Sequence, residues 1–194
     1  MKRIASCFIF GLFILVTGCA TTSLVSLPLS EELKSLTPST LAPEVSLDIH
    51  ISSEVTNSLG TQFFLLVFPL GKTLAGEIEA LTLDAAYKEL LIAGYRPNLD
   101  LNKASDNALR VTVRKAEVTT YDLVFTRLVK CSVTLEMGWI LKNTGKATPP
   151  FLVEFEQKSY IPLPFSRRLS KEFQKTVSKA VKRGIQLSPL APRP

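Results

Sequence analysis

The chain has 194 residues, a net charge of +6, and a composition that is 46% apolar and 21% charged. That is enough chain for one domain with a substantial core. After the N-terminal stretch, no apolar run is long enough to span a membrane as a helix.

The chain opens as a leader. Lys2 and Arg3 supply a positive start, and Ile4–Val16 follows without a charge. That length suits a signal-peptide core and is too short for a permanent transmembrane helix. It ends in Val16-Thr17-Gly18-Cys19, which resembles the bacterial lipobox. The resemblance implies that Val16, Thr17 and Gly18 are read by the lipoprotein signal peptidase. It also implies that Cys19, through its thiolate, takes up a diacylglyceryl group as a thioether. The alternative is an ordinary secretory signal in which Cys19 follows a glycine by chance. The order of charge, apolar length and tetrapeptide favours the lipobox.

Removal of residues 1–18 would leave 176 residues and lower the net charge to +4, because Lys2 and Arg3 leave with the leader. Cys7 leaves too, so Cys19 carries lipid and Cys131 is the one free thiol, with no internal disulfide expected. One acyl chain, at about 0.8 kcal/mol per buried methylene, holds a protein only marginally, whereas two or three palmitate-like chains hold it firmly. Ala20 stands where inner-membrane lipoproteins carry Asp, and by that analogy the address is the outer membrane, with the domain facing the periplasm.

Residues 19–43 read as a lipid-anchored tether rich in Ser, Thr, Pro and Leu, with one helical turn at Glu31–Leu36. Such a linker has a reach of roughly 25–30 Å. Its Leu24, Leu27 and Leu29 either pack on the domain or dip into the membrane interface. The domain itself is expected over residues 44–187, with a flexible proline-rich tail at 188–194.

Val45, Leu47, Ile49 and Ile51 alternate with polar residues, the signature of a half-buried strand. A polar turn around Asn57–Gly60 leads to Phe63–Phe68, an unbroken apolar run of strand length ended by Pro69 and Gly71. Such a strand is covered on both faces or offers one to a partner. A helix follows, strongest over Leu81–Ala93, with Leu83, Ala86, Tyr87, Leu90 and Leu91 on one stripe and Gly94 as its closing left-handed residue. Pro97 restricts the return to an edge or loop.

Leu109, Val111 and Val113 begin a long strand whose phase shifts near Lys115–Ala116, where a bulge is expected. Cys131, Val133, Leu135, Met137, Trp139 and Leu141 form a second. Asn143–Lys146 is turn chemistry, and Phe151, Val153 and Phe155 return. Ser166 is a plausible N-cap for a last amphipathic helix over Arg167–Arg183, with Leu169, Phe173, Val177, Ala180, Val181 and Gly184 inside. These elements predict a two-layer α+β domain: a mostly antiparallel sheet of four to five strands with two amphipathic helices on one face.

The helix ending Leu90-Leu91-Ile92-Ala93-Gly94-Tyr95, the strand Leu109–Val113, the turn at Asn143–Lys146 and the closing helix through Val177–Val181 resemble the YajG-like family of small lipoproteins. The resemblance covers roughly Val45 to Leu187. More distantly, the layout is similar to auxiliary lipoproteins of envelope ABC transporters and to lipopolysaccharide-assembly lipoproteins. The basic last helix and proline-rich tail have no counterpart in the family. What the resemblance implies is an outer-membrane lipoprotein, and it supplies no active site.

Catalytic signatures are missing from the sequence. His50 is the sole histidine, with no triad spacing and no G-x-S-x-G serine to serve. There is no H-E-x-x-H, paired C-x-x-C, EF-hand, P-loop or G-x-G-x-x-G, so neither metal nor cofactor is expected. Glu154 and Glu156 share a strand face that their alternation with Val153 and Phe155 makes solvent-facing. Glu77 and Glu79 suit the dipole at a helix start. Cys131, in register with Val133 and Leu135, reads as a buried small hydrophobe.

The charge is unevenly placed. Arg167, Arg168, Lys171, Lys175, Lys179, Lys182 and Arg183 face a single acidic residue, Glu172, in the last helix. Two readings stand: a solvated outer face, or a surface for anionic lipid, lipopolysaccharide, peptidoglycan carboxylates or an acidic envelope protein. Nucleic acid is not expected, because no base-stacking aromatics interleave the charges. The expectation is therefore a non-enzymatic, lipid-anchored binding or assembly module held to the membrane by its anchor. The alternatives are an accessory lipoprotein of a lipid or lipopolysaccharide transport system and, from another class, an envelope enzyme without a recognisable motif.

Overall fold

Two sixteen-residue strands organise the protein: β6 (Asn107–Asp122) and β7 (Thr126–Leu141), paired antiparallel from Asn107↔Leu141 to Asp122↔Arg127. The computed structural model describes residues 21–25, 42–99, 107–123, 126–141, 146–162 and 166–187. In β7 every second residue from Arg127 to Trp139 is buried and those between are half-exposed, as its alternation requires. The β6 register shifts between Val113 and Lys115. Arg114 is the extra residue of a bulge, and beyond it burial continues at Ala116, Val118 and Thr120.

On the far side of β7 lie β8 (Lys146–Ala147) and β9 (Phe151–Pro162), both antiparallel to it. The free side of β6 is too long for either of its neighbours and takes two in tandem. First β2 (Glu44–Ile51) runs parallel to it from Val45↔Asn107 to Ile51↔Val113. The chain then passes the bulge and β3 (Ser58–Phe64) joins, again parallel, at Gln62↔Thr120 to Phe64↔Asp122. β5 (Arg96–Asn98) adds parallel to β2, β4 (Phe68–Leu74) antiparallel to β3, and β1 (Thr22–Ser23) parallel to β4.

Among the described residues the result is a mixed nine-stranded sheet, curled like half a barrel. This corrects the expected mostly antiparallel, two-layer sheet of four to five strands. Alternation tells which face of a strand is apolar but not which strand lies beside it. β1, β5 and β8 are moreover two or three residues long, below the length at which a period is visible.

Helix α1 (Ile78–Ile92) leads from β4 to β5, and α2 (Ser166–Leu187) closes the chain. α1 ends in a Schellman motif, with Tyr95 N–H donating to the Leu90 carbonyl and Gly94 N–H to that of Leu91, while Gly94 takes φ +84°. Its inner stripe is Ile78, Leu81, Thr82, Ala85, Ala86, Glu89 and Leu90. Leu83, Tyr87 and Leu91 lie only half-buried beside it, so the expected stripe is rotated. Leucines surround this helix, and the stripe cannot be read from a pattern without a polar side.

α2 has that polar side. Leu169, Phe173, Val177, Ala180, Val181 and Gly184 are all buried. The helix packs on β7, β9 and α1, and α1 on β2 and β5. Gly184 is where α2 comes down on the sheet: a Cβ there would stand 2.1 Å from Met137 Sδ. Tyr95 and Trp139, both buried, meet at 5.4 Å between ring centroids and complete one core.

Candidate functional site

The proposed processing and lipidation residues, Val16, Thr17, Gly18 and Cys19, lie outside the described residues. The segment just after them belongs to the domain. Thr22–Ser23 forms β1, and Leu24 is buried in the core. Leu24 N–H donates to the Leu74 carbonyl at 3.2 Å, Glu77 N–H to the Leu24 carbonyl at 3.1 Å, and Val25 N–H to Ser170 Oγ at 3.0 Å. Gly76, at φ +50°, permits this approach, since a Cβ there would meet the Leu24 carbonyl oxygen at 2.0 Å. Of the stretch expected to be a tether, residues 21–25 are thus packed in place, and of the two fates left open for Leu24 the structure shows packing.

Arg167, Arg168, Lys171, Lys175, Lys179, Lys182 and Arg183 are all exposed. They fall on the outer side of α2 because its apolar residues claim the inner side. Three are partly engaged. Arg168 Nη1 donates to the Pro162 carbonyl at 3.0 Å, and Lys175 Nζ lies 2.7 Å from Glu172 Oε1. Lys179 Nζ donates to Gln157 Oε1 at 2.7 Å and sits 5.7 Å above the Phe155 ring. Lys171, Lys182 and Arg183 make no ion pair among the described residues. Lys182 also borders an open groove of about 270 Å³ between the helix C-termini, with Ile92, Tyr95 and Ile185.

Exposed His50 Nε2 lies 2.8 Å from Asp48 Oδ1, and Arg110 Nε donates to Asp48 Oδ2 at 2.8 Å. Partial burial opposes ionisation of Asp48, but the hydrogen bonds from Arg110 and His50 outweigh it and hold its carboxyl below the ordinary range. Cys131 is buried under α2. Burial pushes its thiol up to about 12, with a Thr176 hydrogen bond opposing and the Glu172 charge adding, so it offers no thiolate for attack.

Glu172 is itself buried, accepting from Gln157 Nε2 at 3.0 Å and from Lys175. Burial raises its pKa, yet the contacts with Lys175, Ser159 and Gln157 bring it below the ordinary value. Glu154 and Glu156 point to solvent, Glu156 lying 3.2 Å from Lys130. Glu77 and Glu79 are exposed near the start of α1. Among the described residues no three His, Cys, Asp or Glu side chains converge as metal ligands, and no helix is long and apolar enough to cross a membrane.

One surface feature escapes the sequence reading. The apolar run Phe63–Phe68 is not one strand: β3 ends at Phe64, residues 65–67 turn, and Phe68 begins β4, with Pro69 and Gly71 inside that strand. Leu65 (φ +46°) and Leu66 (φ +71°) both take left-handed backbone, and Val67 N–H donates to the Phe64 carbonyl. This is type I′ geometry, ordinarily supplied by Asn-Gly. For leucine the left-handed region costs about 1–2 kcal/mol per residue. The turn puts Leu65, Leu66, Val67 and Phe68 into solvent at 43%, 57%, 69% and 49% exposure.

In comparisons with known proteins, no family model and no curated sequence matches the chain. Among solved structures, a DUF330 protein from Xanthomonas campestris superimposes with a TM-score of 0.49 at 11% identity, over 85% of this chain and 91% of that one. A minor lipoprotein from Acinetobacter baumannii gives 0.35 at 9% identity, over 74% and 89%. The rare lipoprotein B from Shewanella oneidensis gives 0.33 at 14% identity, over 73% and 91%. With TM-scores below 0.5, these likenesses establish neither a common fold nor a common role.

Proposed function

We propose that this chain is a non-enzymatic lipoprotein of the bacterial envelope, anchored through lipid on Cys19 at the periplasmic side of the outer membrane and acting as a binding or assembly module. One observation carries the reading: Lys2-Arg3, an uncharged apolar stretch and Val16-Thr17-Gly18-Cys19 stand in the order that lipid attachment requires. The burial of Cys131, with its thiol pushed up to about 12, supports the non-enzymatic part. The exposed basic face of α2 supports an anionic partner, with the cations held on one side of a rigid element. Kinship with YajG-like lipoproteins belongs to this same proposal.

The test is metabolic labelling with palmitate. The wild-type chain is expected to take up label and to fractionate with the outer membrane. Cys19→Ser should abolish labelling and accumulate the unprocessed form. Equal labelling of both chains would overturn the proposal.

A further inference from the structure

Five strand ends share one row of the sheet. The registers Phe68↔Phe64, Phe64↔Asp122, Asp122↔Arg127 and Arg127↔Ile161 align the ends of β4, β3, β6, β7 and β9. β1 runs parallel to β4, with Thr22 opposite Thr73, so its N-terminal end is directed toward that same row. The start of α2 is there as well, tied down by the Arg168 hydrogen bond to Pro162.

This end has an uncommon composition. Phe63–Leu70 is eight residues without a polar or charged side chain, and its turn exposes four large apolar side chains in succession. Beside it, Leu65 N–H donates to the Asp122 carbonyl, and Leu123 next to that contact is half-exposed. The charge of Asp122 is answered within the row by Arg127, whose Nη2 donates to Oδ2 at 2.6 Å. Exposed Arg167 and Arg168 stand at the β9 side, four strand spacings or roughly 19 Å from Phe68.

Covalent geometry keeps the lipid site near β1, whose N-terminal end is directed toward the row. Three Cα–Cα steps separate Cys19 from Thr22, which keeps the two Cα atoms within about 11 Å. Thr22 is level with Thr73, and Phe68 is five residues farther along β4, roughly 17 Å toward the row. With β1 and Leu24 locked into the domain, the anchor holds the domain close to the bilayer.

We infer that the turn Leu65–Phe68 is a membrane-insertion loop, entering the same leaflet that holds the Cys19 lipid, with Arg167 and Arg168 at the anionic headgroups. This inference rests on the lipoprotein reading of Cys19. Apolar side chains on a stiff two-stranded arm, at the end toward which β1 and the upstream Cys19 are directed and with arginines at the far side of the same row, match the interface in composition. The turn holds two leucines in backbone that favours glycine or asparagine, so turn formation does not explain their presence.

The experiment uses the full mature chain, purified from membranes and reconstituted into phosphatidylethanolamine–phosphatidylglycerol vesicles that contain brominated lipid. Tryptophan is placed at the tip (Val67→Trp) or at the opposite end of the sheet (Leu152→Trp), about 33 Å from Pro162 along β9. Trp139 is buried and gives both variants the same background. Mass spectrometry of each preparation reads the lipid on Cys19.

The expected result is a blue-shifted emission from the tip tryptophan of Val67→Trp, quenched by bromine placed roughly 5–10 Å below the headgroups. The tryptophan introduced by Leu152→Trp should be unaffected. A lipidated Val67→Trp protein whose tip emission is not quenched overturns the inference and leaves the lipoprotein reading intact. A protein without lipid whose tip emission is still quenched overturns the lipoprotein reading, and with it the shared leaflet, while membrane insertion of the tip stands. Protection of position 67 in native envelopes without quenching by lipid would assign the tip to a protein and overturn the inference.

Discussion

Gly184 and Met137 give a sharp test of how α2 is seated. In isolation, Gly→Ala in a helix interior is stabilising by about 1 kcal/mol. Here the new methyl would stand 2.1 Å from Met137 Sδ and 2.8 Å from Cε, with Val153 Cγ2 at 3.4 Å. The thioether must therefore retreat by more than an ångström inside a closed core, and overpacking of this kind costs about 1–3 kcal/mol. Gly184→Ala alone should destabilise by about 0–2 kcal/mol. Met137→Ala alone leaves a cavity and should cost about 2–5 kcal/mol.

Combined, the alanine methyl enters space that Met137 has vacated, and only the helix propensity remains. Gly184→Ala in the Met137→Ala background should then stabilise by about 1 kcal/mol. The assay is urea unfolding of the four proteins of the cycle, followed by Trp139 emission, with the coupling energy read directly. An effect of the same sign and size in both backgrounds would refute the contact.

Further outcomes follow from the same packing and electrostatics. Cys131, 1% exposed and with its thiol pushed up to about 12, should resist thiol reagents in the native protein at pH 8 and react fully in denaturant; rapid native labelling would contradict its burial. Glu172 has a folded-state pKa below its ordinary 4.5. Its contribution is therefore present above that value and lost as pH falls through the lowered folded value. Glu172→Gln should lower the urea midpoint at pH 7, and the gap to wild type should narrow as pH falls below the ordinary 4.5; a gap that stays constant would rule out this charge effect. In a chain that lacks residues 1–18 and carries Cys19→Ser, Lys171→Glu with Lys182→Glu should weaken binding to anionic vesicles at least about tenfold, at about 1 kcal/mol per charge near the surface. Unchanged binding would reduce the basic face to a solvated one.

What was legible in the sequence is what a period reports. β6, β7, β9 and α2 repeat apolar and polar residues over many positions, and their buried faces were readable; the phase shift expected near Lys115–Ala116 falls at Arg114. Gly94 announced its own conformation. Neighbour relations were not legible, since nothing in Val45–Ile51 or Phe63–Phe64 says that both strands will share one edge of β6. Glu89, on the inner stripe of α1, is satisfied by Ser178 Oγ of α2, a partner 89 residues away that only the fold supplies.

The same division holds for the candidate sites. Seven cations on one helix show in the sequence, whereas the apolar tip does not. Leu65 and Leu66 occupy a turn whose chemistry calls for glycine or asparagine, so the run reads as strand. Thr22–Leu24 joins the core through backbone hydrogen bonds and one leucine, too little pattern to separate it from a linker.

Everything proposed for this protein requires that its mature form begin at a lipid-bearing cysteine and work beside the bilayer that holds it. Intact-mass and N-terminal peptide analysis of the protein extracted from membranes tests this most directly. The expected product is a chain starting at Cys19 with diacylglyceryl and acyl mass on that residue. A retained leader, or a mature terminus with an unmodified Cys19, would contradict it.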